Sequence, residues 1–360
     1  MPRRQLISYI APGAPATRRL ADGDEPLLRP EIGFTPQWYR EALGIDLGQR
    51  WHVDVRYRRE TVMAMRHELQ RRFPGANIGG AEYDDVPLDL LTGVFGTCMV
   101  AAIFGLPIVY AANNWPNVEH RYLTRAEMAA LEVPDLVTNP MFQDLLRQVG
   151  EIERMQGQAT GFINWQGVLN NAQRLRGPDL FVDLYEAPQL VRHFFEVICE
   201  TMLLGIHGLY ERQRAGGIDY QFATISNCSV NLISPLQYEE FVLPYDRRIA
   251  SEFDMIGIHN CAWNADPYVP SYATIPNLAY VDMGLDSNLE KARGLLPHAR
   301  RALMYTPMDL ANKSMDAIQE DLERAARDYA PCDVVVADIE TGTPDERVLG
   351  VIECCEELSG

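Results

Sequence analysis

The residues best suited to chemistry lie in Ile256-Gly257-Ile258-His259-Asn260-Cys261. An apolar run passes into a polar pair, as where a buried parallel strand leaves the core. His259 and Cys261 are two apart, so on a strand their side chains point the same way and converge. Imidazole nitrogen with thiolate sulfur is a borderline-soft donor pair that suits Zn2+. Catalytic zinc takes about three protein ligands and keeps one position open, so a third donor is expected elsewhere. The run Val334-Val335-Val336-Ala337-Asp338-Ile339-Glu340 makes the same passage from apolar to polar. Asp338 and Glu340 read as facing one side, and either can complete a His/Cys/carboxylate set or, if not a ligand, act as a general base. Cys228, just past the apolar segment ending at Ser226, is the remaining candidate, as ligand or catalytic thiol. Each has a plainer counterpart: a buried cysteine beside a hydrogen-bonded histidine, or an acid capping the helix that Asp345 and Glu346 open. Cys332 precedes its strand, and Cys354 and Cys355 fall on the last helix, so these three are set aside.

Polar residues at other strand ends are candidates for holding a substrate. Asn227 and Asn231 flank Cys228, and Asn164, Trp165 and Gln166 end another apolar segment. Asp282 and Tyr305 end two more. Taken singly, each is as readily a structural residue.

These positions require elements that bring strand ends together. Apolar segments at Asn77–Ala81, Pro107–Ala111, Gly161–Trp165, Tyr220–Ser226, Met255–Asn260, Leu278–Met283, Arg301–Tyr305 and Asp333–Ile339 read as eight strands. Helical stretches at Arg58–Arg72, Met141–Thr160, Phe181–Gly216, Pro235–Phe253 and Met315–Tyr329 alternate with them. Strands alternating with helices imply a parallel sheet, and eight such units fit a (β/α)8 TIM barrel, whose chemistry sits at the C-terminal strand ends. Residues 61–360 read as that single domain. Residues 1–60, interrupted by Pro12, Pro15, Pro26, Pro30 and Pro36, read as an irregular N-terminal arm packed on it. The arm's Phe34, Trp38, Tyr39 and Trp51 either anchor it to the core or are free to pack on a second subunit of a homodimer or roof a pocket. Residues 112–140 read as a surface excursion.

Composition narrows the functions. Fifty acidic against 32 basic residues give a net charge of −18, which repels phosphate backbones and argues against nucleic acid as a partner. No apolar run approaches the roughly 20 residues of a membrane span, and no apolar leader segment follows the basic start, so a cytoplasmic location is expected. Seven irregularly spaced cysteines argue for free thiols over a disulfide framework.

Several segments together resemble the uroporphyrinogen-decarboxylase-like superfamily. They are Gly177-Pro178-Asp179 through Glu186-Ala187-Pro188, Leu232-Ile233-Ser234-Pro235, Glu239-Glu240-Phe241-Val242-Leu243-Pro244-Tyr245, Ile258-His259-Asn260-Cys261, and Gly342-Thr343-Pro344-Asp345-Glu346-Arg347-Val348. Within it they are most similar to the zinc-dependent methyltransferases that move a methyl group between a corrinoid protein and a thiol such as coenzyme M. The resemblance implies a TIM barrel, zinc at His259 and Cys261, a small-molecule thiol substrate, and a corrinoid supplied by a partner protein. Those enzymes carry a cysteine shortly before the last Thr-Pro; here Asp338, then Glu340, stands nearest that place. A harder carboxylate ligand leaves more charge on the metal and favours decarboxylase or lyase chemistry on a small carboxylated molecule as the alternative. The Arg-Gln-Ala-Gly-Arg stretch by which decarboxylases hold porphyrin carboxylates is not found in residues 1–60. A non-catalytic ligand-binding barrel is the third expectation.

Overall fold

The computed structural model describes residues 26–76, 78 and 87–360. Six strands form one continuous parallel sheet: β1 (Leu28–Phe34), β4 (Phe222–Ser226), β5 (Met255–His259), β6 (Leu278–Gly284), β7 (Arg300–Met304) and β8 (Cys332–Ile339). β4 to β8 pair in chain order, and β1 returns beside β8. First strand beside last is the curl of a (β/α)8 barrel, the fold class read from the sequence. β8, Cys-Asp-Val-Val-Val-Ala-Asp-Ile, shows why: β-branched residues recur and nearly every position is buried, as in a strand covered on both faces. The helices between strands follow their expected periods. The stretch read as Phe181–Gly216 is two helices, Asp179–Glu186 and Pro188–Ala215, because Pro188 cannot continue the first.

The barrel interior is layered. Phe222, Ala279, Tyr280, Ala302, Val335 and Ala337 form an apolar cluster separate from the outer core. Gly257 lies beneath the Phe222 ring, 2.7 Å from where a Cβ would stand, so only glycine lets β5 pass there. At the strand starts Arg29 forks onto Asp333 with two 2.8 Å hydrogen bonds, joined by Arg300. His259 lies at the opposite end, the mouth.

Three expectations change. The arm over residues 1–60 contains a barrel strand: Leu28–Phe34 pairs with Cys332–Ile339. Pro30 hides it, since proline lacks the N–H a ladder needs; in the described sheet β1 is an edge, where proline is tolerated. Phe34, Trp38, Tyr39 and Trp51 are buried in the main core, so they anchor this segment. Second, Ile108–Ala111 (β2) pairs antiparallel with Asn114–Val118 (β3), apart from the barrel sheet. The excursion thus begins as a hairpin turning at Ala112-Asn113. Third, Gly161–Trp165 forms no ladder. Its N–H groups go to side chains instead: Gly161 to the Tyr220 hydroxyl (3.0 Å) and Phe162 to Thr92 Oγ1 (3.1 Å). The strand expected at Asn77–Ala81 lies, apart from Ile78, outside the described residues. Among those residues no helix is long and apolar enough to cross a membrane.

Candidate metal centre

β4 and β5 are hydrogen-bonded neighbours, with Ser226 opposite His259. The register continues past the strands, since Asn227 N–H donates to the His259 carbonyl at 2.7 Å. Two residues on, Cys228 opens a short 3-10 turn after β4 and Cys261 follows the end of β5. Their sulfurs stand 2.9 Å apart, and Cys261 Sγ is 3.1 Å from His259 Nε2. One donor atom from each of Cys228, His259 and Cys261 lies within 4.8 Å of the other two.

Adjacent strands explain why the third donor is Cys228. Neighbouring strands are about 4.8 Å apart, whereas β8 is separated from β5 by both β6 and β7. The carboxylates expected to complete the set do not join it. Glu340 is exposed and absent from the cavity wall. Asp338 reaches the wall but accepts a hydrogen bond from Trp115 Nε1 at 3.3 Å. Its φ of +57° breaks the alternation on which the same-side reading of Asp338 and Glu340 rested. Burial raises the Asp338 carboxyl above its ordinary range, against the Trp115 hydrogen bond.

Asp282 holds the imidazole. His259 Nδ1 is 2.6 Å from Asp282 Oδ2, and Asn260 N–H donates to the other oxygen at 2.7 Å. A carboxylate on Nδ1 fixes a proton there and leaves Nε2 toward the sulfurs, the usual support of a metal-binding histidine. Asp282 was expected at the substrate; it is buried behind the histidine instead. Burial disfavours the imidazolium, but Asp282 and Cys261 outweigh it and hold His259 well above its ordinary value. The hydrogen bond from Cys261 pulls Cys228 down to about 4 despite burial, with help from His259. The same hydrogen bond, with burial, pushes Cys261 up. Two sulfurs and one oriented imidazole nitrogen fit zinc, with room for an exogenous ligand.

The cluster opens into a cavity of about 720 Å3. Asn164, Gln166 and Tyr305, the sequence's substrate-binding candidates, line it. Gln166, like Cys261, holds a left-handed backbone, φ +60° and +59°; such strain in non-glycine residues gathers at functional sites. The remaining candidates are supports. Trp165 is core, its ring against Gly205. Asn227 is fully buried and donates to Asp246 Oδ2 at 2.7 Å. Asn231 Nδ2 donates to the Cys228 carbonyl at 3.1 Å.

Sequence reasoning missed the helix Val168–Arg176. Asn170, Gln173, Arg174 and the following Gly177 line the cavity. Their spacing of three, four and seven from Asn170 marks one helical face, and this polar stripe among buried Leu169, Ala172 and Leu175 was the available signal. Asn170 Oδ1 accepts from Ser229 N–H at 3.0 Å, and Gln173 from the Ser229 hydroxyl, so the helix grips the Cys228 turn. Arg174 donates to Asn117 Oδ1 and Thr97 Oγ1, each at 2.7 Å. Its Nε is buried without a hydrogen-bond partner, and among the described residues no carboxylate forms a salt bridge with it.

The fold and the strand-end cluster define a barrel protein with a candidate metal centre at the C-terminal mouth. Residues 75–325 match the family model described as Uroporphyrinogen decarboxylase (URO-D), and the chain belongs to that family. Among solved structures it is similar to a methyltransferase from Methanosarcina mazei, with 16% identity and a TM-score of 0.65, over 94% of this chain and 95% of that one. A B12-independent methionine synthase from Shewanella sp. W3-18-1, solved with selenomethionine, is similar at 10% identity and a TM-score of 0.40, over 83% and 88%. No curated protein matches the chain in sequence.

Proposed function

We propose that this protein is a zinc-dependent methyltransferase that activates a small thiol bearing an anionic group. The convergence of Cys228 Sγ, His259 Nε2 and Cys261 Sγ at one end of a cavity carries the reading. Family membership and the likeness to a methyltransferase over the whole chain favour it. Zinc held by Cys228, His259 and Cys261 would lower the pKa of a bound thiol, which when free is mostly protonated at neutral pH. The protein's residues do the rest. Asp282 orients the His259 ring with its proton at Nδ1 and Nε2 toward the sulfurs, Asn170 and Asn231 hold the Cys228 turn, and Arg174, on the cavity wall, receives the negative end of the substrate. Two thiolates against a divalent cation leave the ligand set neutral, so the guanidinium is a fixed positive charge on the cavity wall that orients an anionic thiol. The methyl donor in this reading is a corrinoid carried by a partner protein.

The test is metal analysis followed by turnover. Zinc is expected at one per chain, and Cys228→Ser, His259→Ala and Cys261→Ser should each lose it while far-UV circular dichroism stays near wild type. The zinc-loaded protein should methylate an anionic thiol from methylcobalamin. Full zinc retention in all three variants overturns the metal centre. Full zinc without transfer to any thiol overturns methyl transfer.

A further inference from the structure

We propose that Cys228 and Cys261 form a site of reversible oxidative modification, closing to a disulfide that dismantles the metal centre. The consequence for metal rests on the reading above; the covalent step does not. Five of the seven cysteines are set apart by position: Cys98, Cys199, Cys332 and Cys355 are buried, and Cys354, partly exposed like the pair, lies on the final helix and not on the cavity wall. Cys228 and Cys261 are both partly exposed and both line the cavity, which admits small oxidants.

The backbone places them at bonding range. Ser226 is opposite His259 in the β4–β5 ladder, and each cysteine lies two residues beyond its own strand's member of that pair. Both cysteines lie just past the end of that ladder, Cys228 in a 3-10 turn and Cys261 in a left-handed conformation, so it is the sulfur positions that fix the approach. The sulfurs are already 2.9 Å apart, so side-chain rotation suffices to close to a bond of about 2.05 Å.

The oxidant is a peroxide. One thiolate attacks a peroxide oxygen, becomes a sulfenic acid and releases hydroxide. The second thiolate then attacks that sulfur and expels the sulfenic oxygen as hydroxide. With the two thiol protons the sum is two thiols and hydrogen peroxide giving one disulfide and two waters. Both sulfurs lose their thiolate charge, leaving His259 as the one remaining donor of the three. A dithiol reductant reverses the step by exchange. Because each sulfenic acid meets a thiol at once, the pair is protected from the irreversible sulfinic and sulfonic acids.

The experiment treats metal-stripped and zinc-loaded protein with hydrogen peroxide, then blocks free thiols and maps peptides by mass spectrometry. Metal-stripped protein should lose two of its seven alkylatable thiols, with Cys228 and Cys261 in one cross-linked peptide that dithiothreitol releases. Zinc-loaded protein should give the same peptide more slowly, releasing zinc to a chromophoric chelator in step with it. Cys354→Ser should behave as wild type, and Cys228→Ser should instead accumulate sulfinic acid at Cys261. Over-oxidation of Cys228 or Cys261 in the wild type with no cross-linked peptide overturns the proposal. A cross-link in a protein that never binds zinc sustains the modification and sinks only the metal reading.

Discussion

Arg174 sets the strongest constraint on the substrate at the scale of single residues. A guanidinium stays charged in any protein, and leaving one partly buried without a counter-ion costs free energy unless a ligand supplies the charge. Its two terminal nitrogens are held by neutral acceptors, which aim it without neutralising it. Charge-assisted hydrogen bonds are worth roughly 1.5–3 kcal/mol. Arg174→Met should therefore weaken binding of mercaptoacetate by about 10- to 100-fold. Mercaptoethanol, matched in size but neutral, should be little affected. KM values for the two thiols measured side by side check this. Equal loss for both would show Arg174 to be a brace for Asn117 and Thr97. The residue escaped sequence reading because it sits in the last turn of a helix, where an arginine ordinarily just complements the helix dipole. His259 and Cys261 were legible because an apolar strand running into two polar residues has few other uses. Cys228 was legible only as one of three alternatives, because choosing among strand-end donors requires knowing which strands are neighbours.

At the scale of elements, the Cys228 turn is held from behind by a buried carboxyl. Asp246 is fully buried and receives hydrogen bonds from Asn227 Nδ2 and the Tyr238 hydroxyl, both at 2.7 Å. Burial outweighs those two hydrogen bonds and raises its pKa to about 6 from the ordinary 3.8. The folded state thus binds this proton more tightly than the unfolded chain. Its contribution to stability is fully present below about pH 4 and is lost as pH rises through about 6. A shift near two units corresponds to about 3 kcal/mol. Asp246→Asn keeps the shape and an acceptor and removes the titration. Its unfolding midpoint in urea, relative to wild type, should rise between pH 4 and pH 7 by an amount corresponding to that figure. A constant difference across the range would place the titration elsewhere. The element itself was readable: Pro235–Phe253 was expected as helix, and its last part, Leu243–Ser251, carries Asp246. What the residue touches was not readable, since the contact joins positions 19 apart through the packing of a helix on a strand end.

For the whole molecule the deciding feature is how the barrel begins. The eight-strand expectation drew its first strand from residues 77–81 and left residues 1–60 as an arm, because prolines punctuate that region. β1 lies within it, and its register with β8 runs from Leu28 opposite Cys332 to Phe34 opposite Ile339. Ile32 is fully buried opposite Val336, within the main core. Two pictures of residues 26–60 therefore make different predictions for Ile32→Asp. A carboxylate there has no partner, and an unpaired charge in a core costs several kcal/mol. If β1 is a strand of the barrel, the whole chain pays that cost together. Calorimetry should then show one transition at lower temperature, and near-UV signal and bound zinc should be lost in step with it. If the region were an arm laid over a finished barrel, it would detach first. A small early transition would precede a barrel transition left at its wild-type temperature. The ladder to β8 favours the single transition, because β8 without β1 would expose the backbone groups that six of its residues pair with.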